Sequence, residues 1–368
     1  MNKICVYAIA KNEEKNVEKW VASMRPADHI VVLDTGSTDK TVELLSSLGV
    51  EVHQKIYDEF RFDTARNDSL ALVPDEYNIR VCTDLDEFWE SSDWADVLRE
   101  NWDEEKPRVL YRYIWSHTET GENGKEFVLN KIHGKDPNLI WDGIVHEHLM
   151  DKVTNSRMFY NFIDLRDKLV LHHFPDYTRD KTFYLDLVKK RVKEHPEDHQ
   201  AWFLWGNEEK AKGSIEEALH AYQYLIDNAD SFPELDIWEK ASLYYNVGYC
   251  HLRLNNDALS AMQSFCRGIA ENKYYKDNYL GLGDILICSG LYDMAIGVLT
   301  EGLNIEQPVR GWMDDVVVWS YGFYNLLSIA YTQKGEHDKA LGYAAKALSF
   351  EPSHPFLQEK YQECLNNL

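Results

Sequence analysis

Three carboxylates lie within four residues of the chain, in the stretch Y-N-I-R-V-C-T-D-L-D-E-F-W-E at residues 77–90. They are Asp84, Asp86 and Glu87. Carboxylate oxygens are hard ligands of the kind that Mg2+ and Mn2+ prefer in proteins. The alternative is a solvated acidic turn, because charged residues are common in exposed turns. Which of the two applies depends on the elements that position these acids.

A short strand is predicted immediately before the acids. Ile79, Val81 and Cys82 form an apolar run that is too short for a helix and that ends at Thr83. In an open α/β sheet, ligands bind in the crevice outside the carboxyl ends of the strands. Acids that follow such a strand are therefore placed to offer oxygen ligands to a divalent cation.

The chain upstream alternates strand and helix patterns. Predicted strands cover residues 4–10, 29–33 and 50–52, and predicted helices cover residues 13–24 and 40–48. This order predicts a mostly parallel sheet with right-handed crossovers. The second strand ends in D-T-G-S-T-D, where Gly36 allows the backbone to approach a ligand closely.

Further polar motifs follow later strands. Strands are predicted at residues 108–116 and 126–132, with a glycine-containing turn at 121–124 between them. The motif W-D-G-I-V-H-E-H-L comes next, at 141–149, and a strand-like run at 169–174 contains the pair His172 and His173. These segments add histidines and Glu147 to the candidate site.

Helical periodicity replaces the strand patterns from residue 177 onward. Small residues recur there at one spacing, in three sets: Gly206, Gly213, Ala218; Gly283, Gly290, Ala295; and Ser328, Gly335, Ala340. A fourth set around Tyr244, Gly248 and Ala261 fits if one residue is inserted. Small residues where two helices cross, and a glycine in the turn, are typical of tetratricopeptide repeats. The predicted domains are an α/β domain at residues 1–176 and a helical repeat domain at residues 177–368.

Composition narrows the function classes. The net charge is −23, from 62 acidic and 39 basic residues, so a long phosphate polymer would be repelled and nucleic-acid binding is not expected. The six cysteines show no C-x-x-C spacing and are expected to be free thiols. The N-terminal apolar run ends in charge and is interpreted as a strand, not a signal peptide, and no run is long enough to span a membrane. A cytoplasmic protein is expected.

The motifs together resemble those of a known family. A-K-N-E-E, V-V-L-D-T-G-S-T-D-K-T, T-A-R-N and D-L-D-E occur in an order and spacing that resembles the family 2 glycosyltransferases of the GT-A fold. The addition of W-D-G-I-V-H-E, L-H-H and helical repeats is similar to the branch that includes the glycocin-type peptide glycosyltransferases. The resemblance implies a GT-A domain, Rossmann-like with a mostly parallel sheet, followed by all-α tetratricopeptide-like repeats.

The resemblance also implies roles for single residues. Asp34 and Thr35 match positions that hold the base and ribose of the nucleotide, and Arg66 matches a basic contact to it. Asp84 and Asp86 match the D-x-D that binds ribose and the metal on the diphosphate. His172 matches a late histidine of the metal shell, with His173 as the alternative. Relatives carry arginines on a strand before the H-E motif, where the nearest base here is Lys131, which is therefore a candidate for donor binding.

Transfer of a sugar from a nucleoside diphosphate needs a base for the acceptor. Glu147 is the candidate, because it follows a glycine turn and lies between His146 and His148. His146 is either a metal ligand or a hydrogen-bond partner of Glu147. A zinc protease is not expected, because Met150 stands where the second histidine of H-E-x-x-H belongs.

The sequence thus predicts a metal-dependent, inverting glycosyltransferase that uses Mn2+ or Mg2+ and a nucleoside-diphosphate sugar, with UDP as the expected nucleotide. Its acceptor is expected to be a peptide, protein or glycan held partly by the helical repeats, and a homodimer is left open. A nucleotidyltransferase that makes nucleotide sugars is the enzymatic alternative, although its G-x-G-x-R loop is missing after the first strand. A repeat-based binding scaffold with an inactive GT-A domain is the non-enzymatic alternative.

Overall fold

The expected fold class, an α/β domain followed by an all-α domain, is confirmed. The computed structural model describes residues 2–117, 121, 123, 124, 126–154, 161–176, 182–306 and 316–368. It divides into two compact units, Met1–Leu187 and Val188–Leu368. The predicted boundary between residues 176 and 177 borders residues 177–181, which lie outside the described residues, as does residue 122 in the predicted glycine turn.

The first unit contains eleven strands and four complete helices in its described part. In chain order they are β1 Ile4–Ala10, α1 Val17–Met24, β2 His29–Asp34, α2 Thr41–Ser47, β3 Glu51–Gln54, α3 Phe62–Ala71, β4 Ile79–Cys82, β5 Glu87–Trp89, α4 Trp94–Asn101, β6 Arg108–Ile114, β7 Glu126–Gly134, β8 Leu139–Asp142, β9 His148–Asp151, β10 Ile163–Asp164 and β11 Val170–His173. A further helix, α5 Thr182–Glu194, runs across the division between the units.

Nine of these strands form one mixed sheet in the order β3-β2-β1-β4-β7-β6-β11-β5, with β10 paired to β6. The β1 strand is parallel to β2 and β4, and β2 is parallel to β3. The β7 strand is antiparallel to both β4 and β6, and β11 is parallel to β6 but antiparallel to β5. Because β1, β2 and β4 run in one direction, the residues that follow them meet at one edge of the sheet, which is where the predicted motifs lie.

Burial explains why the parallel half forms. The β1 and β4 strands are apolar along nearly their whole length and almost entirely buried, as expected for strands covered on both faces. Helix α1 covers them with Val17, Trp20, Val21 and Met24, all buried on one stripe. The indole Nε1 of Trp20 donates a hydrogen bond to Thr83 Oγ1 at 3.2 Å, which ties the helix to the start of the acidic stretch.

The second unit is helical throughout its described part. After α5 its helices are α6 His199–Lys212, α7 Ile215–Asp227, α8 Ile237–Asn255, α9 Ala258–Glu271, α10 Lys276–Cys288, α11 Tyr292–Leu303, α12 Val316–Trp319, α13 Gly322–Gln333, α14 His337–Phe350 and α15 Pro355–Asn366, with a short 3-10 turn at Ala229–Ser231. Within the described ranges, no helix of either unit has the length and apolar run needed to cross a lipid bilayer.

The predicted repeats are confirmed by the contacts of their glycines. Gly206 of α6 packs against the ring of Tyr222 in α7, and Gly283 of α10 packs against Leu299 in α11. Gly248 of α8 makes the same contact with Phe265 of α9, where an added Cβ would lie 2.6 Å from the ring. A side chain at any of these positions would force the paired helices apart.

The inserted residue of the fourth set lies in α8. In the other repeats the turn between the helices contains a glycine with positive φ: Gly213, Gly290 and Gly335. In the α8–α9 pair this position is Asn256, with φ 51°, one residue later relative to the crossing glycine. Asparagine tolerates the left-handed conformation, so the turn is kept without glycine.

Candidate active site at the carboxyl edge of the sheet

Asp84 lies directly beyond β4 between two basic side chains. Its Oδ1 accepts a hydrogen bond from Arg66 Nη2, and its Oδ2 lies 3.5 Å from Lys131 Nζ. Burial alone would raise the pKa of the Asp84 carboxyl, but the charges of Arg66 and Lys131 outweigh burial and hold the pKa below its ordinary value. Asp84 is therefore ionised, and its charge is balanced inside the protein.

The buried side chain of Glu87 stabilises the acidic turn. Its side chain is 1 % exposed, its Oε2 accepts the backbone N–H of Asp84 at 2.9 Å, and its Oε1 accepts the hydroxyl of Tyr113 at 2.9 Å. Lys131 Nζ lies 3.5 Å from the same Oε1. Burial raises the pKa of Glu87, and Lys131 opposes that shift. Glu87 thus shapes the site and is not open to an external ligand.

Arg66 joins two segments of the site. Its side chain is 2 % exposed, and besides Asp84 it donates through Nε to Glu147 Oε1 at 2.9 Å. Burial would lower the pKa of the guanidinium, but Asp84 and Glu147 raise it, so the group stays charged. Arg66, expected to contact the nucleotide, is occupied here by two carboxylates, whereas its Nη1 is buried without a partner among the described residues.

Helix α3 also fixes the backbone that carries Glu147. The side chain of Asn67 donates to Trp141 O at 2.7 Å and accepts from Trp141 N at 2.9 Å. The backbone N–H of Phe62 donates to Ile144 O at 3.0 Å. Gly143, with φ 109°, makes the turn that follows β8. The motifs A-R-N and W-D-G-I-V-H-E, separate in sequence, are therefore one assembly.

His146 has left-handed backbone, with φ 52°, and an exposed side chain whose ring meets Tyr184 edge-on at 5.4 Å between centroids. Glu147, the next residue, is only 10 % exposed. Glu147 therefore faces the interior of the site, while the neighbouring His146 ring lies on the surface beside Tyr184.

The two late histidines lie on different sides of β11. His173 Nε2 is 3.4 Å from Asp86 Oδ2, and its Nδ1 is hydrogen-bonded to Trp115 O at 3.1 Å. His172, which the resemblance placed in the metal shell, instead lies 3.8 Å from Glu90 and 3.0 Å from a ring nitrogen of His117. Successive strand residues face opposite sides of a sheet, so only one of the pair can reach Asp86.

Asp86 and His173 are the side chains that suit a metal ion. Burial would lower the pKa of His173, but its contact with Asp86 raises it above the ordinary value. The described residues contain no group of three His, Cys, Asp or Glu side chains arranged to hold an ion by themselves. Mg2+ is commonly held by one or two carboxylates together with substrate phosphates, and an oxygen–imidazole pair fits a shared site of that kind.

Asp34 and Thr35 lie at the end of β2. The Asp34 side chain is fully buried, and it accepts hydrogen bonds from the backbone N–H groups of Gly36 and Ser37 at 3.2 and 3.1 Å and from the Ser37 hydroxyl. Thr35 Oγ1 donates to Ala10 O at 3.1 Å. Both side chains therefore shape the D-T-G-S loop. The resemblance implies that the same two residues contact the nucleotide, and that role stays a prediction.

The A-K-N-E-E loop is hydrogen-bonded to the same D-T-G-S-T-D loop. Asn12 Oδ1 accepts the backbone N–H of Thr38 at 2.8 Å, and the Asn12 N–H donates to Ser37 Oγ at 2.8 Å. The N–H of Glu13 donates to Thr41 Oγ1 at 2.7 Å. The two motifs are thus hydrogen-bonded to each other beyond the ends of β1 and β2.

Four residues that hold the site were not assigned roles from the sequence. Asn67 was visible in the A-R-N letters, but its grip on the Trp141 backbone requires the fold. Tyr113 and Trp115 carried no signal, because they read as ordinary strand aromatics on β6 and just beyond it. Glu87 was visible as a carboxylate, and only its 1 % exposure separates it from Asp84 and Asp86.

A family of known proteins matches the first unit in sequence. Residues 5–160 match the family model described as "Glycosyl transferase family 2". This match covers β1 to β9 and the residues Asp34, Arg66, Asp84, Asp86 and Glu147, and it supports a glycosyltransferase-type function. A search of curated proteins found no match.

Solved structures resemble the helical part of the chain. A thermophilic TPR protein from Thermus thermophilus is 20 % identical, with a TM-score of 0.38, over 50 % of this chain and 89 % of that one. MamA is 22 % identical, with a TM-score of 0.36, over 52 % and 99 %. YrrB, described as a TPR protein with an unusual peptide-binding site, is 17 % identical, with a TM-score of 0.37, over 48 % and 81 %.

Proposed function

We propose that the first unit transfers a sugar from a nucleoside-diphosphate sugar, with UDP as the nucleotide, to a peptide, protein or glycan acceptor, with inversion and with the help of Mn2+ or Mg2+. One observation carries the proposal. The buried Arg66 holds Asp84, at the end of β4, and Glu147, beyond β8, in one ion-pair network. A donor-side acid and a candidate base are thereby fixed against each other.

Glu147 is suited to take the proton of the acceptor. Its Oε1 accepts from Arg66, and within the described residues its Oε2 takes part in no hydrogen bond. The acceptor atom attacks the anomeric carbon of the sugar while the bond from that carbon to the diphosphate oxygen breaks. The acceptor proton passes to Oε2 of Glu147, and the diphosphate keeps the bonding electrons. A single displacement of this kind inverts the anomeric centre.

The diphosphate side is supported by Asp86, His173 and Lys131. Asp86 and His173 would hold the divalent cation, which supplies Lewis-acid stabilisation to the leaving diphosphate when it is bound. Lys131, 19 % exposed, keeps Asp84 and Glu87 neutralised at this edge. Lys131 thereby limits the negative charge that an incoming diphosphate meets.

The helical unit is proposed to hold part of the acceptor, because repeat arrays present extended surfaces. Two asparagines that suit this role by sequence position are excluded by burial. Asn278 is fully buried, and it donates to Ala241 O at 3.0 Å. Asn246 is 4 % exposed, and it accepts from Lys210 at 2.5 Å. Both residues pack between helices, so acceptor contacts must come from other side chains. The narrower similarity to glycocin-type peptide glycosyltransferases stays a prediction.

A donor-hydrolysis screen tests the proposal without knowledge of the acceptor. The full-length protein is incubated with a panel of nucleotide sugars and Mg2+, Mn2+ or EDTA, and release of the nucleotide is measured. Glu147→Gln serves as the matched variant. Metal-dependent release from one donor supports a transferase, whereas release of pyrophosphate from a nucleoside triphosphate and a sugar phosphate would support a nucleotidyltransferase.

A thermal-shift measurement separates an enzyme from a scaffold. A ligand that binds only the folded state raises the melting temperature. UDP with Mn2+ should therefore raise the Tm of the first unit, and an inactive scaffold would show no shift at saturating UDP.

A further inference from the structure

We infer that the first unit carries a second binding surface beside Glu147, formed by a strip of aromatic side chains that receives a cationic peptide segment of the acceptor. This inference rests on the proposed function. The aromatic strip consists of six residues: Tyr57, Phe60, Phe62, His146, Phe183 and Tyr184.

The rings of the strip form one continuous chain of contacts. Tyr57 meets Phe60 at 6.0 Å between centroids, and Phe60 meets Phe62 at 4.9 Å. Tyr184 then links Phe62, at 6.1 Å, to His146, at 5.4 Å. Phe183 extends the chain from Tyr184 at 6.4 Å. Three separate segments of the chain are needed to build it, so no single local pattern explains it.

The strip is not part of the core. None of its members belongs to the two apolar clusters that fill the first unit. Phe183 is 51 % exposed, His146 is exposed, and the other four side chains are half-buried. A group of contiguous aromatic side chains that remains outside the core is typical of a binding surface.

Its position relative to the candidate base is fixed by backbone contacts. His146 directly precedes Glu147, and Phe62 donates its N–H to Ile144 O at 3.0 Å. At the other end, the hydroxyl of Tyr57 donates to Asp68 at 2.6 Å in α3. Helix α3 therefore contacts the strip at Tyr57 and holds the segment that carries His146 and Glu147. An acceptor presenting its nucleophile to Glu147 would place its neighbouring residues on these rings.

The charged side chains beside the strip indicate which kind of peptide segment it binds. Among the described residues, Lys55 and Arg61 lie beside the strip in sequence, and both are paired within the chain, Lys55 with Asp68 at 2.6 Å and Arg61 with Asp63 at 2.9 Å. The Nζ of Lys55 also lies 5.1 Å from the centroid of the Tyr57 ring, which shows that a ring of the strip accepts an ammonium group. The exposed carboxylates Asp58 and Asp186 lie beside Tyr57 and Tyr184 in sequence and have no basic partner among the described residues. Ring faces together with carboxylates attract ammonium and guanidinium groups. A peptide segment with lysine or arginine next to the modified residue therefore fits this surface. A neutral glycan would make no use of the negative charge of Asp58 and Asp186.

Peptide binding tests the inference directly. The probe is a short fluorescent Gly-Ala peptide with a central Lys-Ser-Lys, compared with the same peptide carrying Glu-Ser-Glu, and anisotropy is measured with the full-length protein saturated with UDP and Mn2+. The lysine peptide should bind more tightly than the glutamate peptide, and salt should weaken its binding.

Surface variants identify the strip as the site. Phe183→Ala should weaken the lysine peptide roughly two- to fivefold, the range of a cation–π contact. The charge reversals Asp58→Lys and Asp186→Lys should weaken it further. Phe356→Ala, an aromatic residue 48 % exposed on α15, and Asp338→Lys, an exposed acid on α14, serve as matched controls and should have no effect.

The outcomes separate this inference from the proposed function. UDP affinity and donor hydrolysis should be unchanged in the strip variants, since none of the three changed side chains belongs to the donor site. Equal binding of both peptides, or strip variants indistinguishable from the controls, overturns the inference even if UDP binds. If the protein binds the lysine peptide through the strip but binds no nucleotide, the proposed function fails and the surface stands as a peptide-binding site.

Discussion

Arg66 donates through Nε to Glu147 at 2.9 Å and through Nη2 to Asp84, so one buried guanidinium joins the two acids to which different roles are assigned. Arg66 of T-A-R-N thus supplies the counter-charge of Glu147 in the H-E motif. A buried cation between two carboxylates is costly to remove, because the acids are left without compensation.

Arg66→Met should lower the free energy of unfolding of the first unit by about 3–5 kcal/mol. Chemical denaturation measures this change. The control is Arg166→Met, whose side chain is 46 % exposed beside Asp164 and whose loss should cost at most about 1 kcal/mol. Combining Arg66→Met with Glu147→Gln should recover part of the loss. Strict additivity of the two changes would contradict the assigned ion pair.

Asp86→Asn should abolish metal-dependent binding of UDP while the fold is kept, because the Asp86 side chain is 19 % exposed at the end of the sheet. Calorimetric titration of UDP with and without Mn2+ measures the effect. Asp96→Asn, on the exposed surface of α4, is the control and should bind like the parent protein. An unchanged affinity in Asp86→Asn would remove Asp86 from the metal site.

Glu147→Gln should lower turnover by about 10²–10⁴-fold, because it removes the proton acceptor and keeps the shape. The affinity for UDP should change little, since the glutamine carbonyl can still accept from Arg66. Donor hydrolysis and UDP titration are measured on the same preparation, with Glu126→Gln as control, a partly exposed partner of Arg112. Lost nucleotide affinity with intact turnover would assign Glu147 to the donor instead.

His133 should make the first unit sensitive to acid. Burial, aided by Arg108, lowers its pKa to about 3, and its Nε2 accepts from the Tyr7 hydroxyl at 2.8 Å. The unfolded chain takes up a proton near pH 6.5, whereas the folded chain does not, so folding is favoured fully above pH 6.5 and is weakened as the pH falls toward 3.

Between pH 6.5 and 4.5 this one group should remove roughly 2–3 kcal/mol of the free energy of unfolding. His133→Gln should flatten that part of the pH profile, although it lowers stability at neutral pH. His220→Gln, an exposed histidine of α7 with no acidic partner among the described residues, should leave the profile unchanged. Parallel profiles for the His133 variant and the parent would show that another group causes the acid sensitivity.

Gly206→Ala should destabilise the helical unit by about 1–3 kcal/mol, because the added Cβ meets the fully buried ring of Tyr222. Gly297→Ala is the matched control, since no atom lies within 4 Å of its Cβ position in α11. Alanine there should raise stability by up to about 1 kcal/mol through helix propensity. Thermal unfolding of both variants measures the difference, and effects of the same sign would contradict the crossing contact.

The sequence predicts the parallel half of the sheet well, since β1, β2 and β4 are runs of buried apolar residues followed by polar motifs. It misses β5, because this strand begins with Glu87 and has only three residues, too few for a pattern. Its partner β11 lies far along the chain, and pairing of that kind leaves no local trace.

The site is predictable as a set of residues but not as a set of contacts. The acidic stretch is one cluster in sequence, and the fold divides it, with Asp84 and Glu87 neutralised by basic groups and Asp86 left beside His173. That division depends on Arg66 and Lys131, which come from distant segments. Asn246 and Asn278 of the helical unit are buried for a similar reason, because the face that a repeat helix exposes is decided by its neighbouring repeats.

The two consecutive histidines on β11 determine how the site responds to an insertion or deletion in the chain before this strand. His172 pairs with Phe88 and His173 with Glu87 across the β5–β11 ladder. A shift of this ladder by one residue would exchange the two imidazoles between the faces of the sheet. An insertion of one residue just before β11 would therefore place His172 beside Asp86, whereas a deletion of one residue would bring Phe174 there. Two consecutive histidines on β11 therefore allow this edge of the sheet to tolerate a one-residue register shift, but in one direction only.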